Sequence, residues 1–318
     1  MPSRIHARIG TIRQLEILLA VHDEGGVAAA SEALHLTQPT VSMQLKKLAE
    51  AVGAPLYQKA GKRLVFTQSG EAVLAAARDV MQRFEALDMQ LADLAGLKSG
   101  KLRIAVVTTS KYFIPHLLGS FCERYPDVEV QFRVGNREEI IERLHEGKDD
   151  LYVFSHPPEE ERDIVVSDFL PNPLVAIAPE GHPLTARKSI SLRELAEQPL
   201  LMREAGSGTR YAIERFFREK GVELDIKMTI QSNEAIKHAV MSGLGLAILS
   251  AHTLTYGGRA GLDELQVSGL PIRSRWFLVR PGWLQPSVVA QTFLDYLEGS
   301  DELKNLMDEL ATQMPGAA

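Results

Sequence analysis

The chain has 318 residues, 45% of them hydrophobic and 24% charged, with a formal net charge of −6 and a single cysteine. That length asks for two or three domains, and the composition excludes a disordered chain, a collagen-like repeat and a disulfide-framed mini-protein. No apolar run approaches the roughly 18 residues of a membrane-spanning helix, and no membrane partner is expected.

The charged start, Met1 to Arg8, has no apolar segment behind it, so no secretory signal is expected. Cys122 has no internal partner, and a cytoplasmic location fits it. The charge is uneven. Residues 1–70 hold eight Lys and Arg against five Asp and Glu, a balance of +3, whereas residues 101–318 hold 24 against 31. A mildly basic head on an acidic body suits nucleic-acid binding confined to the head.

In chain order, Thr11 is placed to cap a first helix carrying Leu15, Leu18, Leu19 and His22, which ends near Gly25-Gly26. A second helix starts near Val27 and sets Val27, Ala30 and Leu34 on one face. Thr37 is a natural N-cap, and Pro39 sits in the first turn, where its missing N–H costs nothing. Val41, Leu45 and Leu48 then form the buried stripe of a third helix that Gly53 stops. Residues 56–59 and 64–67 flank Ala60-Gly61-Lys62-Arg63, which predicts a two-stranded wing with a basic tip.

From Val73, apolar residues recur at Ala77, Val80, Phe84, Leu87, Leu91 and Leu94, with gaps of four and three. This is a heptad seam, and it predicts a dimerising helix rather than one packed on its own domain. Gly96 to Gly100 reads as a hinge. Beyond it, strands are predicted at 102–108, 128–134, 151–154, 174–178, 226–230, 246–249 and 276–279. Helices are predicted between them at 112–124, 137–146, 191–196, 208–220, 233–242 and 286–298, and a last one at 301–314. Alternation of this kind predicts mainly parallel sheets with ligands at strand C-terminal ends.

The run from Ala28 to Ser42 carries the clearest chemistry. Small alanines let one helix pack closely on the next, and a short turn launches a helix that begins with polar side chains. That is the logic of a helix-turn-helix, although an ordinary three-helix bundle shares the spacing. Gln38 suits bidentate pairing with adenine, and Ser42 bonds several base edges. Thr37 and Thr40 are polar neighbours at the same turn, and Pro39 or Met43 suits a thymine methyl. Lys46, Lys47, Lys62 and Arg63 suit phosphates of double-stranded operator DNA.

The stretch from Leu15 to Gly70, with this core and its Phe66-Thr67-Gln68-Ser69-Gly70 close, resembles LysR-type transcriptional regulators. The likeness covers almost the whole chain. It implies an α+β multidomain protein: a winged helix-turn-helix over 1–67, a linker helix over 68–97, and a two-lobed α/β effector domain of the periplasmic-binding-protein type over 98–318. Lobe I would hold about 99–172 and 270–300, and lobe II about 173–269. The resemblance also implies a homodimer through Val80, Phe84, Leu87, Leu91 and Leu94, a homotetramer, and contact with RNA polymerase.

In the effector half, Thr109-Ser110-Lys111-Tyr112-Phe113, Gly135-Asn136-Arg137, Arg203-Glu204 with Gly206-Ser207-Gly208-Thr209-Arg210, and Ser232-Asn233-Glu234 resemble the CbbR-type regulators of carbon-fixation (RuBisCO) operons. Ser155-His156 stands where that group more often has Gly-Arg, and histidine carries a charge only when protonated. Physically, the Thr109, Gly206 and Ser232 segments lie at predicted helix starts, where free N–H groups favour anions, and Lys111, Arg137, Arg203 and Arg210 add charge-assisted bonds. Plain N-capping would use the same residue types. A phosphorylated or carboxylated metabolite is the expected effector, with no cofactor.

Enzyme signals are poor. Gly243-Leu244-Gly245 is an incomplete dinucleotide fingerprint, no serine sits in a nucleophile elbow, and the nine histidines show no metal spacing. A regulator of another pathway, such as sulfur or nitrogen metabolism, a solute-binding protein and an α/β enzyme remain the alternatives.

Overall fold

The computed structural model describes residues 11–60, 63–94, 100–158 and 163–313. The chain forms two compact units, Met1–Leu91 and Ala92–Ala318.

The first unit holds α1 (Ile12–Asp23), α2 (Val27–Ala33), α3 (Gln38–Val52), β1 (Tyr57–Ala60), β2 (Arg63–Phe66) and most of α4 (Gln68–Leu94). Thr11 stands at the N-cap of α1 without a side-chain cap bond, against the expectation. Thr37 does cap α3, its Oγ1 accepting from the Thr40 N–H. Gly53 closes that helix at φ 83°, a left-handed conformation that strains any residue with a Cβ. β1 and β2 pair antiparallel, Tyr57 opposite Phe66, as the predicted wing.

One core closes this unit. Leu15, Leu18, Val41, Leu45 and Leu48 meet Leu56, just ahead of the wing, and Leu74 and Ala77 of α4. The heptad expectation therefore needs correcting at its start. Val73 packs against this core and Ala77 lies within it, so both serve the head. The exposed part of the seam begins at Val80.

The second unit is built on a nine-stranded sheet. Three strands belong to one lobe: β3 (Gly100–Val107), β4 (Val128–Gly135) and β5 (Leu151–Phe154). Four belong to the other: β7 (Leu200–Arg203), β8 (Ile226–Ile230), β9 (Leu246–Ser250) and β10 (Leu262–Glu264). Two long strands, β6 (Ile164–Pro179) and β11 (Ile272–Pro281), join them. The order is β4-β3-β5-β11-β6-β9-β7-β8, with β10 on β6. β6 pairs with β11 as far as Leu174 and with β9 from Leu174 onward.

The sheet is mixed, not mainly parallel. Within each lobe the strands linked through helices run parallel, as crossover connections require. The joining strands pair antiparallel with each other and with β5, β9 and β10.

Helices α5 (Ile114–Arg124), α6 (Arg137–His145) and α11 (Val288–Gly299) belong to the first lobe. Tyr152, Phe154, Ile140 and Leu144 form part of its core. The second lobe carries α7 (Leu192–Ala196) and α8 (Gly208–Glu219) over one cluster, centred on Leu200, Ile213 and Phe217. It carries α9 (Asn233–Met241) and α10 (Ala251–Thr255) over another, centred on Leu201, Ile236 and Leu249. α12 (Asp301–Gln313) follows α11. Among the described residues no helix is long and apolar enough to cross a membrane.

Candidate nucleic-acid interface and ligand cleft

In the head, burial of Val41, Leu45 and Leu48 turns the opposite side of α3 to solvent. Residues four apart stack along a helix, so two ridges result: Gln38, Ser42, Lys46 and Pro39, Met43, Lys47. All six are exposed, as is Thr37, while Thr40 is half-buried. The first ridge borders a groove of 890 Å³ shared with Gly26–Ala29, Tyr57 and Leu64. Thr37 and Thr40 bond each other through their hydroxyls at 2.8 Å, so they shape the helix start. Arg63 opens β2, and Lys62 lies outside the described residues.

Further along α4, Val80, Phe84 and Leu87 are 37%, 43% and 47% exposed. Large apolar side chains in a row on a solvent-facing stripe are costly unless covered. Leu91 and Leu94 continue the same spacing on this helix.

In the second unit, the predicted effector residues separate into an inner network and an open cleft. The inner network is buried. Asn233 donates to Thr109 Oγ1 at 2.9 Å, and Arg203 donates to Asn233 Oδ1 at 2.7 Å. Arg203 also grips both carboxylate oxygens of Glu204, at 2.7 and 2.8 Å. A guanidinium only 4% exposed needs such a counter-charge. Beside it, the Tyr112 hydroxyl donates to Glu234 at 2.6 Å, and Lys237 bonds Glu234 and the Gly257 carbonyl. Burial, reinforced by the bond to Glu234, pushes the Tyr112 pKa well up. Burial works to raise Glu234, but the bonds from Tyr112 and Lys237 outweigh it and hold its carboxyl below the usual range. Thr109 and Asn233 thus tie the two lobes together, as do Tyr112 and Glu234.

Thr109 and Ser110 do not open an α-helix. They sit in a 3-10 turn, Thr108–Tyr112, ahead of α5. Ser110 is fully buried, and its Oγ has no partner among the described residues. Lys111 lies 5.2 Å from the Tyr112 ring centroid and is not among the residues that line the open cleft. Asn136 caps α6 in a reciprocal box with Glu139, and Ser232 caps α9 by accepting from the Ala235 N–H, so both side chains do the plain capping work.

The open cleft has a volume of 540 Å³. Arg137, Ile141, His145, His156 and Pro158 line it from the first lobe. Residues 205–208, Arg210, Tyr211 and Glu214 line it from the second. Ser207 stands at the N-cap of α8 but makes no side-chain cap bond, which leaves first-turn N–H groups uncapped, a feature that suits an anion. Thr209, in that turn, is 3% exposed. Gly208 marks a close approach of the two lobes: a Cβ there would lie 2.2 Å from Ser155 Oγ, which would have to turn away. Arg137 donates to the carbonyls of His156 and Pro157, and Arg210 pairs with Glu214 at 2.7 Å and bonds the Arg203 carbonyl.

Sequence reasoning missed His145, Tyr211 and Glu214. Helical spacing carries the signal for all three. Once Ser207 faces a ligand, Tyr211 and Glu214 follow at i+4 and i+7, and once Arg137 does, His145 follows at i+8. No group of His, Cys, Asp and Glu suited to a metal occurs among the described residues.

Comparison with known proteins bears on both units. Residues 12–71 match the bacterial regulatory helix-turn-helix model of the lysR family, and residues 95–301 match the LysR substrate binding domain. The chain belongs to the LysR family of transcriptional regulators. Its LysR-type relatives include the HTH-type transcriptional activator CmpR of Synechocystis sp., 47% identical over 92% of this chain and 96% of that one. The RuBisCO operon transcriptional regulator of Acidithiobacillus ferrooxidans is 43% identical over 91% and 94%. Among solved structures, the Synechocystis PCC6803 CcmR regulatory domain in complex with 2-PG is 44% identical, with a TM-score of 0.59 over 63% of this chain and 96% of that one. Full-length CbnR complexed with its target DNA shares the fold at 22% identity, with a TM-score of 0.66 over 91% and 99%.

Proposed function

We propose that this LysR-type regulator controls carbon-fixation genes in response to a small phosphorylated or carboxylated anion held in the open cleft between its lobes. The observation that carries this reading is the first turn of α8. Its N–H groups meet no side-chain cap, and the basic residues Arg137 and Arg210 line the same cleft. The likeness to a domain bound to 2-PG supports the ligand class, and the RuBisCO operon regulators support the pathway. The domain division at 67 and 97, the inner residues Thr109, Ser110, Arg203 and Asn233, and the reading face of Gln38 and Ser42 belong to the same proposal. The chain acts by binding, without a cofactor, in the cytoplasm. It pairs through α4, assembles as a tetramer on operator DNA, and contacts RNA polymerase there.

Titration of the full chain with 2-phosphoglycolate by calorimetry tests the cleft. Saturable binding, lost in Arg210→Ala and in Arg137→Ala, is the expected result. Binding unaffected by both changes would place the ligand elsewhere.

A further inference from the structure

We infer that Tyr211 is an effector-gripping residue: its ring, held by the second lobe, and the His156 imidazole, held by the first, form a clasp across the cleft. The two rings are stacked, 4.0 Å between centroids and 21° between planes. Each is positioned by its own lobe. On α8, the Arg215 guanidinium lies 5.8 Å from the Tyr211 centroid. On the other side, Arg137 donates to the carbonyls that follow the His156 and Pro157 Cα atoms and lies over the Phe154 ring, which fixes the loop that carries the imidazole. The stack crosses between the lobes at the cleft, as the Thr109–Asn233 and Tyr112–Glu234 bonds do in the inner network.

A ring recruited for packing would be buried. Tyr211 is 40% exposed, lines the cleft, and its hydroxyl makes no hydrogen bond among the described residues. Gly208, one turn earlier, lets Ser155 approach α8 closely, which brings His156 within stacking reach of Tyr211. An anion on the first turn of α8 therefore lies beside a contact that exists only while the lobes are together. Breaking the clasp speeds its escape. This inference rests on the cleft being the effector site.

A double-mutant cycle on the full chain tests it, with 2-phosphoglycolate as the probe, calorimetry for affinity and stopped-flow for release. Tyr211→Ala and His156→Ala should each weaken binding by about three- to tenfold, mainly through faster release, and the double variant should be no weaker than either alone. Tyr211→Phe should stay within about twofold of the wild type, because the ring and not the hydroxyl makes the stack. Tyr211→Leu, which keeps apolar bulk without a flat ring, should behave like Tyr211→Ala and covers the case in which alanine disturbs α8. Additive losses, or unchanged affinity in Tyr211→Leu, would overturn the clasp and leave the cleft reading standing. No binding of the probe to the wild type would overturn the cleft reading and the clasp with it.

Discussion

His252 opens α10 inside the joint between the lobes, with no exposed surface. Its Nε2–H donates to the Pro171 carbonyl at 2.9 Å, and its ring lies 4.7 Å from that of Phe113. Burial pulls its pKa down from 6.5 to about 4, against a small opposing effect of the Pro171 bond. Above pH 6.5 the imidazole is neutral in both folded and unfolded chains. As the pH falls from 6.5 to about 4, only the unfolded chain takes up the proton, so stability is lost across that window. The loss is on the order of 3 kcal/mol. Thermal unfolding of the wild type and His252→Gln between pH 7 and pH 4 checks this, and the variant should show the shallower decline. In the head, Gln38→Ala should cost about 1–3 kcal/mol on the cognate site and little on random DNA. Lys46→Ala should weaken both alike, because a phosphate contact carries no sequence information. Anisotropy titrations on both DNAs separate the two effects.

At the scale of elements, α4 does two jobs along one stripe. Leu74 is fully buried in the head, so Leu74→Ala should destabilise it by about 2–5 kcal/mol, measured by denaturant unfolding of a head–linker fragment, residues 1–97. Leu87 is exposed, so Leu87→Glu should leave that fragment folded and turn it from dimer to monomer in sedimentation. Periodicity alone made Val73 and Ala77 look like more of the same seam, because a heptad cannot say which partner covers it. Most other elements were legible from apolar spacing and caps, including β5 and β8 to the residue. β6 was not. Pro171 and Pro173 argue against a strand, and only the pairing of 164–174 with β11 keeps that stretch extended. β7, four buried residues between Pro199 and Glu204, was not predicted; it has no β-branched or aromatic residue, whereas β5, equally short, carries Tyr152, Val153 and Phe154.

At the scale of the molecule, the glycine, cap-type and cationic side chains that singled out Gly206, Ser207, Gly208, Arg137 and Arg210 in the sequence, together with His156, line one open cleft. The division between a closed inner network and an open cleft was not legible in the sequence. It depends on Arg203 pairing with its neighbour Glu204, and on Asn233 reaching Thr109, a bond that forms only when the lobes come together. On the proposed function, DNA binding and anion binding are two ends of one device. A ligand that changes the lobes would change the spacing of the DNA-reading heads in the assembly, and hence the bend they impose. The most direct test is a footprint of the full chain on the intergenic DNA beside its own gene, with competitor DNA present, with and without 2-phosphoglycolate. The predicted result is protection of a two-fold related site that survives competitor and whose extent or bend shifts when the anion is added. Equal loss of all protection to competitor, or a footprint indifferent to the anion in wild type and Arg210→Ala alike, would contradict it.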